Sequence, residues 1–173
     1  AGSRMTPAEG AFYLDVPNLQ MIRWQNMPAH PYDQWAEAFL PPKQVAWSIV
    51  GSGGRIDGDE IDWVVDLAES YPNVTGVYLD DFVRKDGEGA LSPEDLKQIR
   101  PRLEVAGRHL DMWVVVYIRQ LDLPIGPLVE QCDIVNLWTW NSDELVNLEQ
   151  NLERIEKLNP GGRVSLGCYL WDY

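Results

Sequence analysis

The sequence predicts an α/β fold in which parallel strands joined by helices curl into a TIM-type (β/α)8 barrel, incomplete at about six strand–helix units. Three observations predict it. Strand-like apolar runs alternate with amphipathic helical runs and show no hairpin turns, so neighbouring strands must run parallel through right-handed crossovers. Strand starts fall near residues 18, 44, 74, 112, 133 and 163, about 29 residues apart on average, against roughly 31 per unit in an eightfold barrel of ~250 residues. Each strand also ends in reactive or aromatic residues: Arg23-Trp24, Trp47-Ser48, Asp80-Asp81, Tyr117 to Arg119, Trp138 to Asn141, and Trp171-Asp172-Tyr173. An open doubly wound sheet instead gathers its ligand groups at one switch point behind a Gly-rich turn, and no G-x-G-x-x-G occurs. Residues 1–173 are expected to form one partial barrel domain, lacking about one strand at each end.

Each element has a local reason. Thr6-Pro7-Ala8-Glu9 opens a helix, with Thr as cap, Pro in the first turn and Glu reaching back. Asn18 to Trp24 is a strand, and Pro31 to Leu40 a short helix stopped by Pro41-Pro42. Gln44 to Val50 is the second strand, running into the loop Gly51-Ser52-Gly53-Gly54, which offers flexibility or a weak phosphate cradle. Asp57 and Glu60 read as a capping pair before a helix carrying Ile61, Val64, Val65 and Ala68 at helical spacing. Val74 to Asp80 is the third strand. Ser92-Pro93-Glu94-Asp95 starts a helix that Pro101 should break early. Met112 to Ile118, Asp133 to Trp140 and Arg163 to Trp171 complete the strands. Leu145, Leu148, Leu152, Ile155 and Leu158 mark the helix between the last two, ended by Asn159-Pro160-Gly161-Gly162.

Alternation of strand side chains then assigns faces. Asn136 needs polar partners that a helix-covered wall does not supply, so Asn136, Trp138 and Trp140 are expected to point into the barrel. Parity places Ser165, Gly167, Tyr169 and Trp171 inward on the sixth strand, and Tyr78 with Asp80 inward on the third.

Composition narrows the function. With 27 acidic and 14 basic residues the net charge is −13, which opposes binding to nucleic acid or to an anionic membrane surface. No apolar run reaches the ~18 residues needed to span a bilayer. Eight Trp against three Phe is an unusual balance, because Trp joins a flat apolar face to a polar edge. Cys132 and Cys168 make neither a disulfide framework nor a metal motif. No strand carries a Lys for Schiff-base chemistry, and no strand end carries a His for a metal hydrolase. No metal or cofactor is expected.

At Gly76-Val77-Tyr78-Leu79-Asp80-Asp81-Phe82, supported by Trp47 to Gly51 and Leu137 to Trp140, the chain resembles (β/α)8-barrel glycoside-hydrolase-like proteins. The resemblance implies a carbohydrate-active hydrolase acting on glycosidic bonds. It implies a strand-end carboxylic acid, here Asp80, with Asp81 or Asp172 as accessory carboxylate. One carboxyl protonates the leaving oxygen while another attacks or activates water. Adjacent carboxylates repel, which helps one keep its proton. Arg23, Trp24, Trp47, Tyr78, Tyr117, Arg119, Trp138, Trp140, Asn141, Tyr169 and Trp171 are candidates for sugar contact, since pyranose faces are apolar and their edges polar. A carbohydrate partner that is a polysaccharide would place the protein in a secreted or periplasmic setting.

Other readings stand beside this one. Asp80-Asp81 can cap a turn, Trp138 and Trp140 can plug a barrel, and Arg119 can pair with Asp80 or Asp122. The same rim on a non-catalytic sugar-binding barrel, or Asp80 and Asp81 as Mg²⁺ ligands of a lyase or isomerase, are the alternatives.

Overall fold

A computed structural model describes residues 5–25, 27–56 and 58–169. Among the described residues eight strands and six α-helices follow in the order α1 (Pro7–Tyr13), β1 (Asn18–Met21), α2 (Asp33–Ala38), β2 (Gln44–Ser48), α3 (Glu60–Ser70), β3 (Val74–Leu79), α4 (Pro93–Ile99), β4 (Glu104–Val105), β5 (Arg108–His109), β6 (Asp111–Tyr117), α5 (Gly126–Val129), β7 (Ile134–Thr139), α6 (Leu148–Leu158) and β8 (Arg163–Cys168). Six of the strands form one parallel sheet in the order β1-β2-β3-β6-β7-β8. Each strand of that sheet pairs with the next of the six along the chain, the winding that barrels share and doubly wound sheets lack.

The sheet is curled into a half-barrel. Asn136 on β7 donates from Nδ2 to Gln20 Oε1 on β1 at 3.4 Å. Four strand spacings separate β1 from β7, about 19 Å across a flat sheet, so only curvature brings these side chains together. The convex face carries Trp47, Val77, Leu79, Val114, Val116, Val135 and Leu137, all buried beneath α2 to α6 in one large core. A smaller apolar cluster of Ala46, Tyr78, Val115 and Tyr117, edged by Ile22, Trp113 and Trp138, lines the concave face.

Two glycines let large rings lie on that concave face. A Cβ on Gly167 would stand 2.1 Å from a ring carbon of Trp138, its partner across β7–β8. A Cβ on Gly76 would stand 2.9 Å from Trp113 Nε1. Small residues opposite large ones are how a tapered interior is filled.

Local chemistry explains most element boundaries. Thr6 with Glu9, and Ser92 with Asp95, form complete capping boxes with Pro at the first helical position. Pro101 ends α4, and the chain continues as a 3₁₀ turn over Arg100–Leu103. The expected capping pair of Asp57 and Glu60 involves Asp57, which lies outside the described residues; the Glu60 carboxylate is buried on Arg23, with Gly58 N–H donating to it at 3.0 Å. Two expectations are corrected. Residues 104–109 form an antiparallel hairpin, β4–β5, turned by Ala106 and Gly107 at φ 50° and 77°, where no hairpin was expected. Leu145 belongs to a 3₁₀ segment, Ser142–Asn147, and stays exposed, so α6 begins later at Leu148. Among the described residues no helix is long and apolar enough to cross a membrane.

Candidate functional site

The C-terminal ends of β1, β3, β6, β7 and β8 open onto a cleft of about 660 Å³ on the concave face. Its wall runs from Gln20, Ile22 and Trp24 at one side, past Tyr78, Asp80 and Asp81, to Tyr117, Trp138, Trp140 and Tyr169 at the other. The size and the mixture of aromatic faces with a few polar groups are those of small-molecule sites. Trp138 and Trp140 each meet Tyr169 edge to face, at centroid separations of 5.1 and 5.0 Å. Trp24, on the opposite rim, is 67% exposed, so its ring is open to a ligand.

The strand parity that places Asp80 inward also half-buries it. Loss of hydration pushes its pKa from the ordinary 3.8 up to about 6, and the Asp81 charge pushes the same way. Asp81 follows at φ 48°, a left-handed conformation that side chains other than glycine pay to adopt. That turn aims its carboxylate back at β6, where Tyr117 Oη donates to Asp81 Oδ1 at 2.8 Å. Burial and this hydrogen bond hold the Tyr117 phenol protonated far above its usual range. The Gly-rich loop after β2 supports the turn: a Cβ on Gly54, at φ 70°, would meet Asp81 O at 2.6 Å and Phe82 Cα at 2.9 Å. Gly54 therefore serves close backbone packing beneath the carboxylates.

Beneath the cleft, Asn136 Nδ2 donates to Tyr78 Oη at 2.6 Å, giving the buried amide nitrogen a polar partner. Tyr78 is held protonated mainly by burial.

Arg119 stands at the mouth. Its guanidinium carbon lies 4.2 Å from the Tyr117 ring centroid and 5.5 Å from that of Trp140. Neither expected ion pair forms, and Asp122 is engaged by Arg154 instead. Asn141 lines an adjoining recess with Arg119 and Glu144, and its N–H and Nδ2 donate to Glu144 Oε2 at 3.2 and 3.3 Å.

Two candidates fall away from the cleft, both for reasons of parity. Trp47 is wholly buried on the convex face against Tyr32 and Phe39. Arg23 points between Ile22 and Trp24 to the opposite side, where NH1 donates to Glu60 Oε1 at 3.1 Å with both side chains buried. Trp171 and Asp172 lie outside the described residues. Gln20, Ile22 and Val115 line the cleft without having been singled out; period-two counting back from Trp24 and Tyr117 finds all three.

A second polar cluster occupies the opposite end of the strands. His109, Asp111 and Asp133 bring ligand atoms within 4.8 Å of one another. Arg163 already neutralises Asp111, and Arg100 NH2 donates to Asp133 Oδ1 at 2.7 Å. This is an ion-pair network tying β5, β6 and β7 together. In the cleft, Asp80 and Asp81 supply two neighbouring carboxylates, and Asp81 accepts a hydrogen bond from Tyr117.

Compared with family models, curated proteins and solved structures, the chain matches none.

Proposed function

We propose that the curled sheet is part of a (β/α)8 barrel of glycoside-hydrolase type, and that its concave cleft binds a saccharide whose glycosidic oxygen Asp80 protonates. One observation carries this reading: a half-buried carboxylic acid, its pKa near 6, faces a cleft walled by Trp24, Trp138, Trp140, Tyr117 and Tyr169. An acid of that pKa holds enough of its proton near neutrality to act as donor, a role worth roughly 10²–10⁴ in rate. The indole and phenol faces supply flat apolar area for pyranose C–H faces, while Gln20 and the carboxylates address the hydroxyl edge. Asp81, oriented by Tyr117, is the accessory carboxylate in the described cleft, and Asp172 the further candidate.

A second reading, a saccharide-binding half-barrel without turnover, is favoured by one observation. The two carboxylates in the described lining are consecutive residues on one strand end instead of facing each other across the cleft. A glycosidase separates its pair by at least about 5 Å across the bond. Hydrolysis of a polysaccharide panel, followed by calorimetry on the substrates that respond, separates the readings. Turnover lost by ~10² or more in Asp80→Asn, with binding kept, supports the hydrolase. Binding without turnover in the unaltered protein supports the second reading, and absence of both rejects the saccharide cleft.

A further inference from the structure

We infer that Arg119 forms an anion-recognition subsite at the cleft mouth, so that the saccharide taken by the cleft carries a carboxylate or sulfate-ester substituent. The inference rests on the saccharide reading and deepens it to a substrate class.

The first ground is how the other arginines are used. Among the described residues six arginines are paired with carboxylates. Arg108 donates to the backbone carbonyls of Ala68 and Val74, and Arg55, exposed in the loop after β2, makes no ion pair among the described residues. In a chain with 13 excess negative charges, carboxylates are plentiful. Among the described residues, Arg119 is the arginine beside the cleft, and it has ring contacts but no carboxylate partner.

The second ground is its placement. A guanidinium laid over two aromatic faces is held in orientation while its N–H edge stays available in the plane. That edge presents the fork that fits a planar carboxylate or a sulfate bidentately. The recess it lines, of about 310 Å³, shares Tyr117 and Trp140 with the main cleft, so a sugar stacked on Trp140 reaches both.

The third ground is charge across the site. Asp80 and Asp81 repel an anionic substituent from the β3 side, so such a ligand is oriented with its charge toward Arg119. Glu144 lines the same recess and opposes an anion, although its Oε2 is turned to Asn141. That opposition yields a second variant with an effect of opposite sign.

The test is NMR titration of the full chain with glucose, glucuronate and glucose 6-sulfate, and with the matching galactose series, at low salt. The expected result is about tenfold tighter binding of at least one anionic sugar than of its neutral counterpart, as for one charge-assisted contact. The uronate and sulfate arms show which anion is used. Arg119→Gln brings that ratio to near one, Arg119→Lys keeps part of it, Glu144→Gln raises it, and 1 M NaCl suppresses it. Equal binding of neutral and anionic sugars, or a preference indifferent to Arg119→Gln, overturns the anion subsite and leaves the saccharide cleft standing. Binding of no sugar in either series rejects the cleft reading and this inference with it.

Discussion

Replacing Asp80 by Asn should stabilise the protein, and by an amount that depends on pH. In the folded chain the carboxyl is raised to about 6, mainly by burial and then by Asp81; in the unfolded chain it returns to roughly 3.9. The folded state therefore holds its proton over a window in which the unfolded state has released it. Stability is highest below about pH 4, falls as pH rises through the window, and carries the full penalty above about pH 6. The whole difference corresponds to about 3 kcal/mol. Asp80 keeps some contact with solvent, and screening reduces this to roughly 1.5 kcal/mol. Asn carries no charge at any pH, so Asp80→Asn should gain about 1.5 kcal/mol at pH 8, or some 3–6 °C in Tm for a chain this size, and nothing at pH 4. Scanning calorimetry of both proteins at pH 4, 6 and 8 measures it. A gain that is absent at pH 8, or equal at pH 4, refutes the claim that the cleft destabilises this carboxylate's charge. A protein that bears such a cost at one residue is trading stability for a protonated acid.

Three further outcomes are expected. Gly167→Ala should displace the Trp138 ring, costing about 1–3 kcal/mol in urea unfolding and weakening saccharide binding; an unchanged midpoint would contradict the close seat. Trp47→Ala should cost about 3–5 kcal/mol as a core truncation, whereas Trp24→Ala, exposed at the rim, should leave the urea midpoint within about 0.5 kcal/mol and reduce binding. Burial lowers the His109 pKa, but hydrogen bonds to Asp133 and Glu104 outweigh it and raise it overall. Its bridge therefore stabilises below the unfolded value of about 6.5 and is lost as pH rises through the folded value, so His109→Gln should lower Tm at pH 5.5 and matter little at pH 9.

The fold was legible where pattern and local chemistry agree. Both capping boxes, the break at Pro101 and all six strands of the main sheet follow from spacing and residue type. The inward set Tyr78, Asp80, Asn136, Trp138 and Trp140 followed from one physical premise, that an inward Asn finds polar partners; Asn136 finds Tyr78 and Gln20. The same parity, applied to β1 and β2, separates Ile22 and Trp24 from Arg23, and Ala46 from Trp47. Listing residues at strand ends without parity is what admitted Arg23 and Trp47 to the candidate site. Two features had no one-dimensional signal. Gly54 acts by touching Asp81 and Phe82 from another loop, and the Arg23–Glu60 pair joins residues 37 apart. The β4–β5 hairpin did have one, Ala106-Gly107 in left-handed conformations, but it is a two-residue strand pair nested within a crossover.

The eight tryptophans offer the most direct test of the central claim, that a saccharide lies on the concave face. In a ¹H–¹⁵N spectrum each indole N–H is a separate reporter, and the substrate identified by the polysaccharide panel can be titrated in. Trp24, Trp138 and Trp140 line the cleft, while Trp47 is wholly buried on the convex face and Trp63 stacks on His30 outside it. The expected result is saturable shifts at the first three, with Trp47 and Trp63 unmoved. Shifts centred on Trp63 or Trp47, with the cleft indoles silent, would contradict it.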